Sequence, residues 1–116
     1  MKEKRIIRTT TNIKNDGSYS CNDCDKDLKI EDIDMTDWRS KCCGSDIVIY
    51  SKIMEKYIIR KMANMVQKGD DVIDYRQRDL IEVLGVSTLK DGYVMIGLKE
   101  TGGQIVPKND IVDVLF

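Results

Sequence analysis

The sequence predicts an α+β protein, mainly β, made of two small units joined by an amphipathic helix. Three observations support this prediction. Two close cysteine pairs lie in the first half, apolar residues recur at helical spacing in the middle, and short β-branched runs fill the second half. With 116 residues the chain is as long as one ordinary domain or two very small ones. The predicted units are residues 1–50 and 70–116, and the predicted helix occupies residues 51–69.

The amino-terminal unit is predicted to be a hairpin whose cysteines lie in tight turns. Residues 5–13 are rich in β-branched side chains and predict a strand, which ends at the turn-forming Asn15-Asp16-Gly17. A second short strand, at 18–20, leads into the first cysteine pair. Residues 28–35 predict an irregular strand or a short turn, and residues 47–50 predict a buried strand after the second pair.

The segment 51–67 is predicted to be the linking helix, with Ser51 as its N-cap and Gly69 just beyond its end. Apolar residues recur there at spacings of three and four, which is typical of one helix face. They are Met54, Ile58, Met62 and Met65. The opposite face would present cations to solvent or to a partner. They are Lys52, Lys56, Arg60 and Lys61.

The carboxyl-terminal unit is predicted to be a small five-stranded barrel. Its strands are expected at 72–75, 80–84, 93–99, 104–107 and 111–115, separated by turns rich in glycine, asparagine and aspartate. A sheet this short removes its edges by closing on itself. The residues expected inside it are Val83, Val94, Ile96, Ile105 and Val112.

Four cysteines in two close pairs, Cys21-x-x-Cys24 and Cys42-Cys43, predict one structural zinc ion. Disulfides are rare in a reducing cytoplasm, so paired cysteines there favour metal binding. The chain has no histidine, so the site would be all thiolate, or thiolate with a carboxylate. Four protein ligands would leave no open position for a substrate, which disfavours catalytic zinc.

The fourth ligand has two candidates. Adjacent cysteines project in different directions, so Cys42 and Cys43 can bind one ion only if the backbone bends, and Gly44 makes such a bend feasible. The alternative is Cys43-x-x-Asp46, which restores the two-residue spacing with a carboxylate. Four cysteines are favoured because thiolates bind zinc more strongly than carboxylates in structural sites. Two less favoured interpretations of the four cysteines are a set of buried free thiols and a redox dithiol.

The two cysteine turns resemble those of zinc ribbons and rubredoxin-like knuckles. The matching segments are Tyr19-Ser-Cys21-Asn-Asp-Cys24 and Lys41-Cys42-Cys43-Gly44-Ser45, in a region of about residues 5–50. The resemblance departs where the usual glycine after the first pair is Asp25, and where the second pair is compressed. It implies a zinc-bound unit of a kind that often docks on proteins or nucleic acid in transcription and translation machinery.

The second half is similar to a Src-homology-3-like (SH3-like) barrel. The similarity rests on residues 103–112, which look like its last two strands around a short helical turn, and on 72–75 before 80–84. The tyrosine usual after the asparagine is Asp110 here, and this half has no tryptophan. Polyproline binding, which needs stacked aromatics, is therefore not expected.

No nucleophile–base pair or phosphate loop is present, so the expected function is non-enzymatic, without a small-molecule substrate. No apolar stretch is long enough for a membrane span or a signal peptide, so a cytoplasmic protein is expected. The composition is typical of phage or mobile-element proteins. The expected role is an adaptor or inhibitor docking on a protein of the nucleic-acid machinery. Trp38 is a core residue or an interface anchor in this interpretation.

Direct nucleic-acid binding is the alternative. It would use the cations of the predicted helix together with a basic amino-terminal arm. The arm residues are Lys2, Lys4, Arg5 and Arg8. The net charge of −1 does not favour a general nucleic-acid binder.

Overall fold

Eleven strands and four short 3-10 helices make up the described part of the computed structural model, which comprises Thr9 and residues 13–116. The strands are β1 (Asp16–Cys21), β2 (Lys26–Leu28), β3 (Ile33–Asp34), β4 (Arg39–Ser40), β5 (Ile47–Ser51), β6 (Lys56–Met62), β7 (Asp71–Asp74), β8 (Asp79–Thr88), β9 (Tyr93–Leu98), β10 (Gly102–Pro107) and β11 (Ile111–Leu115). The 3-10 helices are Ile13–Asn15, Ile30–Asp32, Ala63–Met65 and Lys90–Gly92. No helix in this part of the chain reaches seven residues, so the predicted α+β class is wrong and the protein is nearly all β.

Nine of the strands form one antiparallel sheet in the order β10-β9-β8-β7-β11-β6-β5-β1-β2, and β3 pairs with β4 separately. Strand β11 joins the two halves of the chain. It pairs with β6 along its whole length and with β7 through Val114 and Val72. The prediction of a separate five-stranded barrel is therefore wrong. Its strands belong to a sheet that continues into the cysteine-bearing half.

Most of the individually predicted strands are present. Strands β7 to β11 overlap the five segments predicted in the second half, although β8 continues to Thr88, and β1 and β5 cover 18–20 and 47–50. Of the expected core residues, Ile105 is 58% exposed, whereas the other four are buried. The strand predicted at 5–13 lies outside the described residues apart from Thr9 and Ile13.

The predicted linking helix is a β-hairpin. Strand β5 ends at Ser51, a four-residue turn follows, and β6 returns antiparallel to β5. The capping expected of Ser51 is real but local: its Oγ accepts the backbone N–H of Met54 at 3.2 Å, and its carbonyl accepts the N–H of Glu55 at 2.8 Å. Glu55 then takes a φ of +55°, which ends the single turn. The chain leaves as a strand because Ile58 and Ile59 bury on opposite faces.

Two hydrophobic cores lie against opposite faces of strands β6 and β7. Ile58 and Ile73 belong to one core, together with Cys21 and Trp38 of the cysteine-bearing half. Their sequence neighbours Ile59 and Val72 belong to the other core, with the apolar residues of β8, β9 and β11. Adjacent strand residues point to opposite faces, so β6 and β7 contribute to both cores. The apolar run that suggested a helix is a strand buried on both sides.

Candidate metal centre

The first cysteine pair lies in a tight turn between β1 and β2, residues 21–25, which we call the first knuckle. Cys21 is the last residue of β1, and its carbonyl accepts the backbone N–H of Asp25 at 2.9 Å. Asp25 has a φ of +50°, which turns the chain back toward β2. Cys21 is buried, whereas Cys24 is exposed. The turn thus presents one sulfur from inside the core and one from the surface.

The second pair lies in a turn of the same kind after β4, residues 40–44, which we call the second knuckle. The carbonyl of Ser40 accepts the N–H of Gly44 at 2.8 Å, and Gly44 has a φ of +67°. That conformation costs little for glycine and accounts for its position after the cysteines. Cys42 and Cys43 are therefore adjacent residues within one bend, as the sequence predicted.

The four cysteine sulfurs form a compact cluster in which all Sγ atoms lie within 4.8 Å of one another. Cys43 Sγ lies 3.2 Å from Cys21 Sγ and 3.5 Å from Cys24 Sγ. Cys42 Sγ lies 3.8 Å from Cys21, 3.9 Å from Cys24 and 3.8 Å from Cys43. A tetrahedral zinc site with Zn–S bonds of about 2.3 Å has sulfur–sulfur edges of about 3.8 Å. The four residues lie close enough to hold a metal ion.

Asp46, the alternative fourth ligand, has a different partner. One of its carboxylate oxygens lies 3.7 Å from a guanidinium nitrogen of Arg39, and the two residues also form an isolated β-bridge. The cluster of side chains close enough to hold a metal ion contains Cys42 instead. The bend at Gly44 thus brings both adjacent cysteines to the same point.

The thiols of Cys21 and Cys24 differ in acidity. A hydrogen bond with the Ser40 hydroxyl, followed by one from the backbone N–H of Cys24, lowers the pKa of Cys21 to about 6. The sulfurs of Cys43, Cys21 and Cys42 raise the pKa of Cys24 to about 12. Of these two thiols, Cys21, on the buried side, therefore loses its proton more readily than Cys24. Metal binding requires the remaining thiols to lose protons as well.

Ser40 is a site residue that sequence reasoning missed. It is 2% exposed, and its Oγ lies 3.4 Å from the Sγ atoms of both Cys21 and Cys43. Serine is common in loops, so its identity alone marks nothing. A sequence alignment of the two knuckles that matches Asp25 with Gly44 also matches Ser40 with Cys21. Such an alignment would have identified Ser40 as a candidate site residue.

The cations predicted for partner binding do not share a face. Lys52 lies exposed in the turn after β5, and Lys56 lies exposed at the start of β6. Lys61 is half-buried, and its Nζ lies 3.1 Å from a carboxylate oxygen of Asp70. Arg60 is buried, with 3% of its side chain exposed. The helix face on which these four cations were expected together does not exist.

Arg60 is the centre of a buried polar network. Its two terminal nitrogens donate to both carboxylate oxygens of Asp16, at 2.6 and 2.8 Å, and its Nε donates to Asp113 at 3.0 Å. Tyr19 donates its hydroxyl to Asp16 at 2.6 Å, and Tyr75 donates to Asp113. In the described part of the chain no buried side-chain nitrogen or oxygen lacks a hydrogen-bond partner. The network is therefore fully satisfied.

Trp38 connects this network to the cysteine cluster. It is 6% exposed and belongs to the same core as Cys21. The guanidinium carbon of Arg60 lies 4.4 Å from the centre of the indole ring, within cation–π range, and the ring of Tyr19 lies 6.2 Å away. Trp38 was interpreted as either a core residue or an exposed interface anchor, and the structure places it in the core.

No protein-family model, no curated protein and no solved structure gives a significant match to this chain. In the part of the chain that the structure describes, none of the helices has the length and apolar character to span a bilayer.

Proposed function

We propose that this protein binds one structural zinc ion through Cys21, Cys24, Cys42 and Cys43, and that it is not an enzyme. The observation that carries the proposal is the compactness of the cluster: five of its sulfur–sulfur distances are 3.2 to 3.9 Å and all four sulfurs lie within 4.8 Å of one another, beside the edge of about 3.8 Å expected for zinc. When bound, zinc would supply cross-linking rather than chemistry, because four thiolates leave no position open for water or substrate.

The four cysteines differ in what they connect. Cys21 comes from the end of β1, while Cys42 and Cys43 follow β4, which belongs to the separate two-stranded sheet. A shared ion would fix the small sheet against the large one. Metal binding would then be part of the folding free energy of this half of the protein.

Zinc content tests this proposal. The purified protein is expected to hold one zinc per chain by elemental analysis, and Cys24→Ser and Cys42→Ser are each expected to lose most of it. Asp46→Ala is the matched control, because Asp46 pairs with Arg39 and is expected to be dispensable for the metal. Zinc far below one per chain in the unaltered protein would refute the proposal. Loss of zinc in Asp46→Ala with retention in Cys42→Ser would make Asp46 the fourth ligand.

We further propose that the protein acts by docking on a protein of the nucleic-acid machinery, as an adaptor or inhibitor. Support comes from an exposed aromatic surface beside the first knuckle, formed by Tyr57 and Phe116, which are 55% and 60% exposed. They border a cleft of about 220 Å³ that also includes Asn22 and Asp25. Large exposed aromatic side chains are enriched at protein interfaces.

The burial of Arg60 and the pairing of Lys61 with Asp70 weigh against direct nucleic-acid binding. Phosphate recognition needs several accessible cations acting together. Of the four cations predicted for this role on the segment 51–69, Lys52 and Lys56 are exposed. The basic arm lies outside the described residues, so the experiment below is designed to detect direct nucleic-acid binding as well.

A pull-down from bacterial lysate, with and without nuclease, separates the two roles. A protein partner is expected to survive nuclease and to be lost with Tyr57→Ser. Ile105→Ser is the control, because Ile105 is equally exposed, at 58%, but lies on β10 at the other end of the sheet. Capture that disappears with nuclease, or with rising salt on a nucleic-acid probe, would favour direct binding instead.

A further inference from the structure

Ser40 occupies the position in the second knuckle that a cysteine occupies in the first. In both turns the carbonyl of the first residue accepts the N–H of the fifth, and the fifth residue has a positive φ. The first residue is Cys21 in one turn and Ser40 in the other. The second knuckle therefore supplies its two sulfurs from its third and fourth positions, Cys42 and Cys43, and has a hydroxyl at its first.

The Ser40 hydroxyl lies within hydrogen-bond range of two sulfurs and one backbone N–H. Its Oγ accepts the backbone N–H of Ser45 at 3.3 Å and lies 3.4 Å from the Sγ atoms of Cys21 and Cys43. A hydroxyl has one proton to donate and two lone pairs that accept. One lone pair accepts the Ser45 N–H, and toward a metal-bound thiolate, which carries no proton, the hydroxyl can act only as the donor.

The backbone holds the side chain in place. The N–H of Ser40 donates to the Ser45 carbonyl at 3.0 Å, and its carbonyl accepts from Gly44 at 2.8 Å. Its β-strand partner is Ile33, a fully buried residue of the core that contains Cys21. With 2% exposure, Ser40 is shielded from water that could compete for its hydroxyl.

We propose that Ser40 is a positioning residue of the metal centre, whose hydroxyl donates a hydrogen bond shared between the thiolates of Cys21 and Cys43. This inference rests on the proposed zinc site. Four thiolates around one zinc ion carry a net charge of about −2, and donors to the sulfurs offset that charge and orient the ligands. Ser40 strengthens metal binding and reduces the electron donation of the two sulfurs.

Ser40→Ala tests the inference, with Ser45→Ala as a matched control. Ser45 is also buried, at 8% exposure, and its substitution removes a hydroxyl from the same loop while keeping the N–H that Ser40 accepts. Competition with a chromophoric chelator is expected to show roughly 10-fold weaker zinc binding for Ser40→Ala, and little change for Ser45→Ala.

Cobalt provides a readout that a merely structural role would not move. In the Co²⁺-substituted protein, loss of the hydrogen bond raises the energy of the sulfur lone pairs. The thiolate-to-cobalt charge-transfer band of Ser40→Ala is therefore expected at lower energy, with far-UV circular dichroism unchanged. An affinity equal to that of Ser45→Ala and an unshifted band would overturn the inference. Failure of the unaltered protein to bind zinc would instead refute the proposed function.

The double variant Ser40→Cys, Cys42→Ser keeps the inference testable if Ser40→Ala does not fold. The Ser40 Oγ is 3.4 Å from two of the sulfurs, so a sulfur placed there is expected to complete the tetrahedron. Zinc is expected at one per chain in the double variant and to be largely lost from Cys42→Ser alone. No recovery in the double variant would show that the side chain at position 40 does not point into the sulfur cluster, which would overturn the inference.

Discussion

Tyr19 and Tyr75 each donate a hydroxyl to a carboxylate that also binds Arg60. Burial raises the pKa of Tyr19, and the hydrogen bond to Asp16 and its charge raise it further. Burial likewise raises the pKa of Tyr75, and the charge of Asp113 acts in the same direction. Both phenols are therefore held neutral in the folded protein. An unfolded tyrosine ionises at about pH 10.

This difference makes folding sensitive to alkali. Because the folded state favours the protonated phenols, the stability that they contribute is complete below about pH 10 and is lost as the pH rises further. We expect part of the tyrosinate absorbance at 295 nm to appear only as the protein unfolds. Tyr75→Phe should remove one tyrosine from that late phase, and Tyr19→Phe, Tyr75→Phe should remove two.

The protein unfolded in guanidinium is the control, because all of its tyrosines should then ionise together near pH 10. Ionisation of Tyr75 at that pH with native circular dichroism intact would contradict the assignment.

Residue types determined how far the site could be predicted. Cysteine spacing is informative by itself, and Cys21, Cys24, Cys42 and Cys43 all lie in the cluster. Arginine is usually exposed, so the sequence placed Arg60 on the surface. Its burial depends on Asp16 and Asp113, which are 44 and 53 residues away in the chain. No local pattern reveals such a partnership.

At the scale of elements, the same turn recurs four times among the residues that the structure describes. In each, a carbonyl accepts the N–H four residues later at 2.8 or 2.9 Å, and the donor residue has a positive φ. The pairs are Cys21 with Asp25, Asp34 with Trp38, Ser40 with Gly44, and Ser51 with Glu55. Only one of the four donor residues is glycine. The other three hold a conformation that costs an L-residue about 1–2 kcal/mol.

Glu55→Gly is expected to stabilise the protein for this reason. Glycine relieves the left-handed conformation at φ +55°, so the free energy of unfolding should rise by about 1 kcal/mol, less the entropy that glycine adds to the unfolded chain. Urea denaturation measures the change. Lys56→Gly, one residue later within β6, should instead lower stability by about 0.5–1 kcal/mol. A loss of stability in Glu55→Gly comparable to that in Lys56→Gly would show that the turn carries no strain.

The hairpin at 51–62 also explains why this element was mispredicted. The helical spacing of Met54, Ile58 and Met62 arises in a turn followed by a strand that is buried on both faces. The choice between the two structures depends on the cross-strand partners of β6, which lie in β5 and β11. The partners in β11 are remote in sequence. In β8 and β9 buried residues alternate with more exposed ones along much of each strand, so their period of two was readable.

At the scale of the whole molecule, the Arg60 network ties together three strands that are remote in sequence. Asp16 lies on β1, Arg60 on β6 and Asp113 on β11. Removing one partner from a buried ion pair leaves an uncompensated charge, which costs about 3–5 kcal/mol. Burial of Asp113 raises its pKa even beside the guanidinium, which indicates how costly this carboxylate would be alone.

Arg60→Met is therefore expected to lower the free energy of unfolding by about 3–5 kcal/mol. Fluorescence of Trp38, the single tryptophan, reports on the core that contains Cys21, and far-UV circular dichroism reports on the sheet. Both denaturation curves should shift together, because β6 contributes to both cores. Lys56→Met, on the same strand but exposed, should change stability by no more than about 0.5 kcal/mol. Separate midpoints for the two probes would mean that the halves unfold independently.

The position of β11 has a consequence for synthesis. This strand lies between β6 and β7 in the sheet, yet it is made after the ten other described strands. Until residues 111–115 have left the ribosome, β6 and β7 each present an unpaired edge toward the same gap. Open strand edges are the groups with which other polypeptides pair. The nascent chain thus passes through a stage in which aggregation competes with completion of the sheet.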